Sequence, residues 1–397
     1  MSDKTVIVAG HICLDIIPNL NSIPEGQFAA HFQPGHLIEA GPTVIATGGP
    51  VSNTGLALHI LGIPTRLMGK IGDDLFGQAV LNIVRSYGAG LAEGMVIDKT
   101  SSTSYTVIIS SPGVDRMFLH SPGANNTFCA GDVDFDQVAQ AALFHFGYPP
   151  VMRRLFENGG AELTELYRRA KATGATTSLD MTFPDPASPG GRADWPSIYR
   201  STLPNVDIFL PSVEELLFTL RRETYNRLEQ SAGSNQIQPG VTPELLSDLS
   251  CELLSMGVKI AVIKIGDRGV YLRTADREAL QRMGRARPSD LSAWADIELW
   301  APCFQVNVVG TTGAGDATIA GFLSGLLRGM LPMEAVTAAL AVGACNVEAA
   351  DALSGICPWE VTLRRIQAGW PRHPLLLSSP GWQWDPEANL WVGPGSQ

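Results

Sequence analysis

Positive charge is scarce in this chain: Lys and Arg number 28 against 39 Asp and Glu, a formal charge of −11 at pH 7. That balance argues against a polyanion-binding surface, and so against nucleic acid as a partner, although one local basic pocket would not show in the total. Cysteine is sparse too. Cys13, Cys129, Cys251, Cys303, Cys345 and Cys357 form no CxxC pair and suit a reducing compartment with mostly buried thiols. No uncharged apolar run reaches about 18 residues, so no membrane span is expected. The N-terminus MSDKTVIVAG runs straight into a strand pattern with no signal-peptide layout, which predicts a cytoplasmic protein. Internal repeats, zinc-ligand spacing, HExxH, GxSxG and the GK[ST] of a P-loop are all missing. Metalloprotease and α/β-hydrolase chemistry therefore have no support.

What is present centres on Val306 to Arg328, VNVVGTTGAGDATIAGFLSGLLR. It begins as a β-branched run, breaks at glycines and continues with helical apolar spacing, which predicts strand, tight loop, helix. Gly313, Ala314 and Gly315 let backbone N–H groups come close to a ligand, and the following helix aims its positive dipole end there. Such a place attracts anions, yet Asp316 puts a fixed carboxylate in the same turn. Phosphoryl transfer to an alcohol reconciles the two. Asp316 accepts the hydroxyl proton, and the amides of Gly313 to Gly315 take up charge on the migrating phosphoryl oxygens. A lone GAGD before a helix can also be plain punctuation, since Asp caps helices and Gly makes turns. Thr318 stands where a dinucleotide fingerprint needs Gly or Ala, so that motif fails.

At 397 residues the chain has room for one large domain plus an appendage. Thr5 to Ala9 reads as a buried parallel strand ending at Gly10 and leading to Asp15, at the sheet end where ligands bind in open α/β folds. Residues 18–47 read as an excursion from the sheet, extended near Leu37 to Ala46. Ser102 to Ser110 and Asp115 to His120, joined by the turn SPGV, read as a hairpin. From Ala142, ALFHFG, TTSLD ending at Asp180, VDIFLP and IAVIKIG alternate with helical segments, which predicts a doubly wound parallel sheet. His145, Phe146, Gly147 and Tyr148 end one of these strands on the active side and are candidate acceptor contacts. Arg221 to Gly240 reads as a polar surface excursion or mobile loop, and Arg273 to Trp300 as an unassigned insert.

These residues, in this order over roughly the first 360 positions, resemble the ribokinase-like (PfkB) carbohydrate kinases. Thr311 to Asp316 match the TTGAGD of its C-terminal signature, and GGPVSNTGLALHILG, Gly48 to Gly62, resembles its N-terminal one. GKIGDDLFG, Gly69 to Gly77, resembles a further block, read as a strand end and helix start capped by Asp73. The resemblance implies a doubly wound, mostly parallel α/β sheet flanked by helices, with a small β-sheet lid. The core is expected at 1–13, 48–98 and 129–370, the lid at 14–47 and 99–128, and a C-terminal tail at 371–397 on the surface or on another subunit.

The implied activity is transfer of the ATP γ-phosphate to a primary hydroxyl of a sugar or related polyol, with Mg2+. The implied acceptor site is Asp15, Gly48, Gly49 and Asn53, with Pro50 where ribokinase has lysine. Lys264, Gly266, Thr311 and Asn346 are implied nucleotide contacts. PSVEEL resembles the family's NxxE element, with Ser212 in place of its asparagine, and Glu215 would hold Mg2+ through water. Ala352 to Gly355 would lie near adenine and a monovalent cation, but Gly310 replaces the aspartate used there, leaving K+ activation open. A nucleoside kinase, or a non-catalytic ligand-binding regulator of the same fold, are the alternatives. Unpaired lid edges invite a homodimer.

Overall fold

The computed structural model describes residues 4–111, 114–232 and 237–396. Its main sheet has ten strands: Thr65–Met68, Val6–Gly10, Leu143–Gly147, Thr176–Asp180, Ile208–Phe209, Ile260–Lys264, Val270–Thr274, Glu298–Ala301, Leu390–Val392 and Gln383–Asp385, from one edge to the other. The first six are mutually parallel, and the ladder becomes antiparallel beyond Ile260–Lys264.

The central strands are buried on both faces because both faces are covered, and all but Thr176–Asp180 are mainly apolar. Along Val6–Gly10, Val6 and Val8 enter one core while Ile7 and Ala9 enter the other. The first core packs the helices Pro50–Ile60, Leu75–Tyr87, Ala314–Leu327 and Pro332–Val347; the second packs Ala161–Ala172, Val213–Leu220 and Pro243–Ser255. Ala314–Leu327 and Pro332–Val347 lie unusually close. A Cβ on Gly321 would sit 2.8 Å from the Ala339 Cα, so glycine sets that spacing.

The two predicted excursions do pair. Gly41–Gly48, Cys13–Asn19, Tyr105–Ser111 and Val114–Ser121 form a separate four-stranded sheet. Residues 112 and 113 of the predicted SPGV turn lie outside the described residues. Only His11 and Ile12 separate Val6–Gly10 from Cys13–Asn19, so the chain passes directly from one sheet to the other. Val44, Ile45, Phe118 and Leu119 of the small sheet are exposed.

Several sequence expectations need correction. Val306 to Val309 is not a strand but an irregular segment, tied by Val309 N–H to the Val347 carbonyl. Val306 and Val308 line a cavity and Val309 is exposed beside them, so these β-branched side chains wall a cleft or meet solvent instead of filling a sheet. The helix Leu75–Tyr87 is capped by Asp74, not Asp73: the Asp74 carboxylate accepts from Gly77 N–H at 2.8 Å. The polar stretch read as a surface excursion or mobile loop contains the helix Arg222–Ala232; residues 233–236 lie outside the described residues. The unassigned insert supplies the strand Glu298–Ala301 and buries Trp294 and Trp300. Beyond Trp370 the tail extends the main sheet by two strands. Among the described residues no helix is long and apolar enough to cross a membrane.

Candidate active site

The C-terminal ends of the parallel strands and the start of Ala314–Leu327 enclose a cavity of about 490 Å³. Gly313 caps that helix at φ 73°, a left-handed conformation where a Cβ would also lie 2.6 Å from the Ala352 Cβ. Glycine is therefore required there. Gly313, Ala314, Gly315 and Asp316 all line the cavity, as do Lys264, Gly266, Thr311 and Glu215.

Asp316 is 2% exposed and held by three donors. Asn53 Nδ2 donates to Oδ2 at 3.1 Å, Tyr148 OH to Oδ2 at 2.9 Å, and Thr54 Oγ1 to Oδ1 at 2.9 Å. Burial pushes the Asp316 carboxyl above its ordinary range, and these donors, with the charge of Lys264, offset only part of the shift. Tyr148 reaches it from a left-handed turn, φ 67°, uncommon for a bulky residue. Such strain persists only where the surroundings enforce it.

Lys264 donates to Asp180 Oδ1 at 2.7 Å, and both side chains are largely buried. Burial alone would lower the lysine, yet the charges of Asp180, Glu215 and Asp316 hold it above its usual value. Asp180 is raised by burial despite that lysine. The Gly315 position has Lys264 Nζ about 3.6 Å from where a Cβ would stand, so the cation lies against the helix start. Glu215 is tied into a capping box: Ser212 N–H donates to Glu215 Oε2 at 2.6 Å, and Glu215 N–H donates to Ser212 Oγ at 3.2 Å. Its carboxylate still faces the cavity.

The residues expected to bind the acceptor, Asp15, Gly48, Gly49 and Asn53, do not line this cavity. Asp15 is 8% and Asn53 6% exposed. Gly48 abuts the Asp15 carboxylate so closely that a Cβ would meet it, and a Cβ on Gly49 would lie 2.5 Å from the His11 carbonyl oxygen. Cys13 Sγ donates to Asp15 Oδ1 at 3.3 Å. Burial lifts Asp15 to about 6, opposed by the Cys13 and Thr106 hydrogen bonds. If ionised Asp15 binds acceptor hydroxyls, kcat/KM for the acceptor should fall as pH drops through about 6, and Asp15→Asn should remove that limb. A pH–rate profile checks this; an unchanged limb in the variant would assign it to another group.

Other expected contacts fall elsewhere. His145 is fully buried, its Nδ1 2.7 Å from Ser178 Oγ, and belongs to the core instead of the acceptor site. Asn346 turns its amide to the Ala352 carbonyl at 2.7 Å; Gly343, Ala344 and Val347 line the cavity, and it does not. A Cβ on Gly310 would lie 2.9 Å from the carbonyl oxygens of both Ala349 and Ala350, so this backbone has no room for the aspartate of a cation site. Among the described residues no cluster of three or more His, Cys, Asp or Glu could hold a metal ion. Reading the sequence did not assign roles to Thr54, Asp180, Cys303, Phe304 or His373, although all but Thr54 line the cavity. Only Asp180 carried a signal, its place at a strand end.

A deep cleft at parallel strand ends, with a helix N-terminus, a buried carboxylate and a lysine, has the chemistry that phosphoryl transfer needs, and it sits on a ribokinase-like fold. The pfkB family carbohydrate kinase model matches residues 3–358, and the chain belongs to that family. It is thus a phosphotransferase with an alcohol group as acceptor. Over 323 residues it is 26% identical to fructokinase-2 of Zea mays, covering 81% of this chain and 79% of the other. Among solved structures, a fructokinase with bound ATP from Xylella fastidiosa superposes with a TM-score of 0.65 at 20% identity, over 92% of this chain and 99% of that one. A nucleoside kinase from Methanocaldococcus jannaschii gives 0.61 at 16% identity, over 92% and 98%.

Proposed function

We propose that this protein transfers the γ-phosphate of ATP to a primary hydroxyl of a sugar, with Asp316 as general base. The observation that carries the reading is the position of Asp316. Its carboxylate lies within the first turn of Ala314–Leu327, on the cavity wall, fixed by three hydrogen bonds. From there it takes the proton of a hydroxyl entering on the Asp15, Gly48, Gly49 and Asn53 side. The Gly313–Gly315 amides receive the charge of the transferring group, and Lys264 adds a cation on the nucleotide side. Thr311 and Gly266, with Val306, Phe304 and Val347, wall the nucleotide end.

Asp180 and Glu215 face the same cavity, and burial, with the charges of Glu215 and Asp316, raises the Asp180 carboxyl. Two carboxylates of this kind suit Mg2+, which keeps most of its water and binds few protein groups. When bound, that ion neutralises phosphate charge. The chain's own part is to hold Glu215 by its capping box and Asp180 by Lys264. The four-stranded sheet acts as a lid that excludes water from the acceptor side. Gly310 supplies no carboxylate for K+.

ATP consumption measured across neutral sugars, sugar phosphates and nucleosides tests the reading. A sugar should give the highest kcat/KM. A nucleoside as best acceptor would move the activity to nucleoside phosphorylation, and no acceptor-dependent turnover would leave the fold without this reaction.

A further inference from the structure

His11 is 3% exposed, and neither ring nitrogen has a hydrogen-bond partner. Asn53 Oδ1 is likewise buried and unpartnered. Buried polar atoms without partners are rare and costly; His145, Arg273, Ser324 and Asn346 each have one as well, but only those of His11 and Asn53 belong to residues tied to the Tyr148–Asp316 contacts. The His11 ring lies 5.2 Å from the His120 ring of the small sheet and 6.2 Å from the Tyr148 ring. Tyr148 and Asn53 both donate to Asp316. A Cβ on Gly49 would stand 2.6 Å from His11 Nδ1, so the imidazole fills space that only glycine leaves open. His120 Nδ1 is 3.0 Å from Thr106 Oγ1 within the small sheet, whereas His11 lies in the two-residue link between the sheets.

We infer that His11, with Asn53 Oδ1, is an acceptor-binding group that pairs with hydroxyls of an uncharged polyol, and that His120 closes over it from the small sheet. The inference rests on the kinase reading above and narrows its acceptor class. A neutral imidazole offers one donor and one acceptor, which matches a hydroxyl, itself both donor and acceptor. A carboxylate or phosphate would need two donors. Burial, and the neighbouring His120, oppose the charge that would supply the second. Asp15 and Asp316 add negative charge on the same side, and both disfavour an anionic acceptor.

The test uses His11→Phe, which keeps a ring against His120 and Tyr148 but has no ring nitrogen, and His11→Gln, which keeps a donor and an acceptor. Each is assayed on the best acceptor found for the unaltered enzyme, with acceptor and ATP varied separately, and acceptor binding is measured calorimetrically in the Asp316→Asn background. Loss of two neutral hydrogen bonds corresponds to about a 10- to 100-fold rise in acceptor KM for His11→Phe. The ATP KM should stay within about twofold, and His11→Gln should recover part of the loss. The unaltered enzyme should prefer neutral polyols to their acid or phosphorylated counterparts. An unchanged acceptor KM and affinity in a folded His11→Phe, or a preferred anionic acceptor, would overturn the inference while leaving the kinase intact. Absence of turnover with every acceptor would overturn both.

Discussion

Asp316→Asn should abolish most phosphoryl transfer while leaving the fold intact. Removing a positioned general base typically costs about 100- to 10,000-fold, and kcat should carry that loss with little change in either KM. The stability side follows from burial. The Asp316 carboxyl is raised in the folded state, so whatever stability its protonated form contributes is present at low pH and is lost as pH rises through the folded pKa. At neutral pH the ionised group is therefore a cost to folding. Asparagine removes that charge and fits the same donors: its oxygen can accept from Asn53 and Tyr148, and its amide can face Thr54, whose hydroxyl can accept instead. The thermal midpoint should thus be unchanged or higher. Steady-state kinetics and calorimetry decide the matter, and turnover equal to the parent would remove Asp316 from the chemistry.

Lys264→Met should lose both stability and activity, for separable reasons. Lys264 and Asp180 are a buried pair at 2.7 Å, and breaking such a pair from one side costs about 3–5 kcal/mol, because the remaining charge keeps its desolvation without its partner. Adding Asp180→Asn should restore much of that stability. It should not restore turnover, since the cation beside the helix start is still missing and the Asp180 carboxylate facing the cavity is now gone too, so the rate effect of the lysine is read from the single variant; a single preorganised charge or donor of this kind is worth about 100- to 1000-fold in rate. Denaturation curves and ATP kinetics on the single and double variants read the two effects separately. Normal turnover in Lys264→Met would confine the lysine to a structural role.

The Thr311–Asp316 turn was legible because its chemistry is local. An anion cradle and a carboxylate within four residues need no long-range information. The strands Val6–Gly10, Leu143–Gly147, Thr176–Asp180, Ile208–Phe209 and Ile260–Lys264 were legible for a related reason, since a sheet covered on both faces favours short runs low in charge separated by helical segments; the edge strand Thr65–Met68, with Arg66 in it, was not read. The same rule misread Val306 to Val309. β-branched residues wall a ligand cleft as well as they fill a sheet, and only the position of Val347 opposite Val309 distinguishes the two.

The composition and the order of elements determined that the chain builds a parallel sheet with a glycine-framed helix start at its active end. Tertiary structure alone decided which side chains meet there. Asn53, Thr54, Tyr148 and Asp316 are separated by up to 263 positions yet share one carboxylate. His11 and His120 come together only because the two residues His11 and Ile12 carry the chain from the large sheet straight into the small one. Pairing at such distances depends on how the crossovers fold back and on which partners can satisfy a buried charge, and no local pattern of residues encodes either.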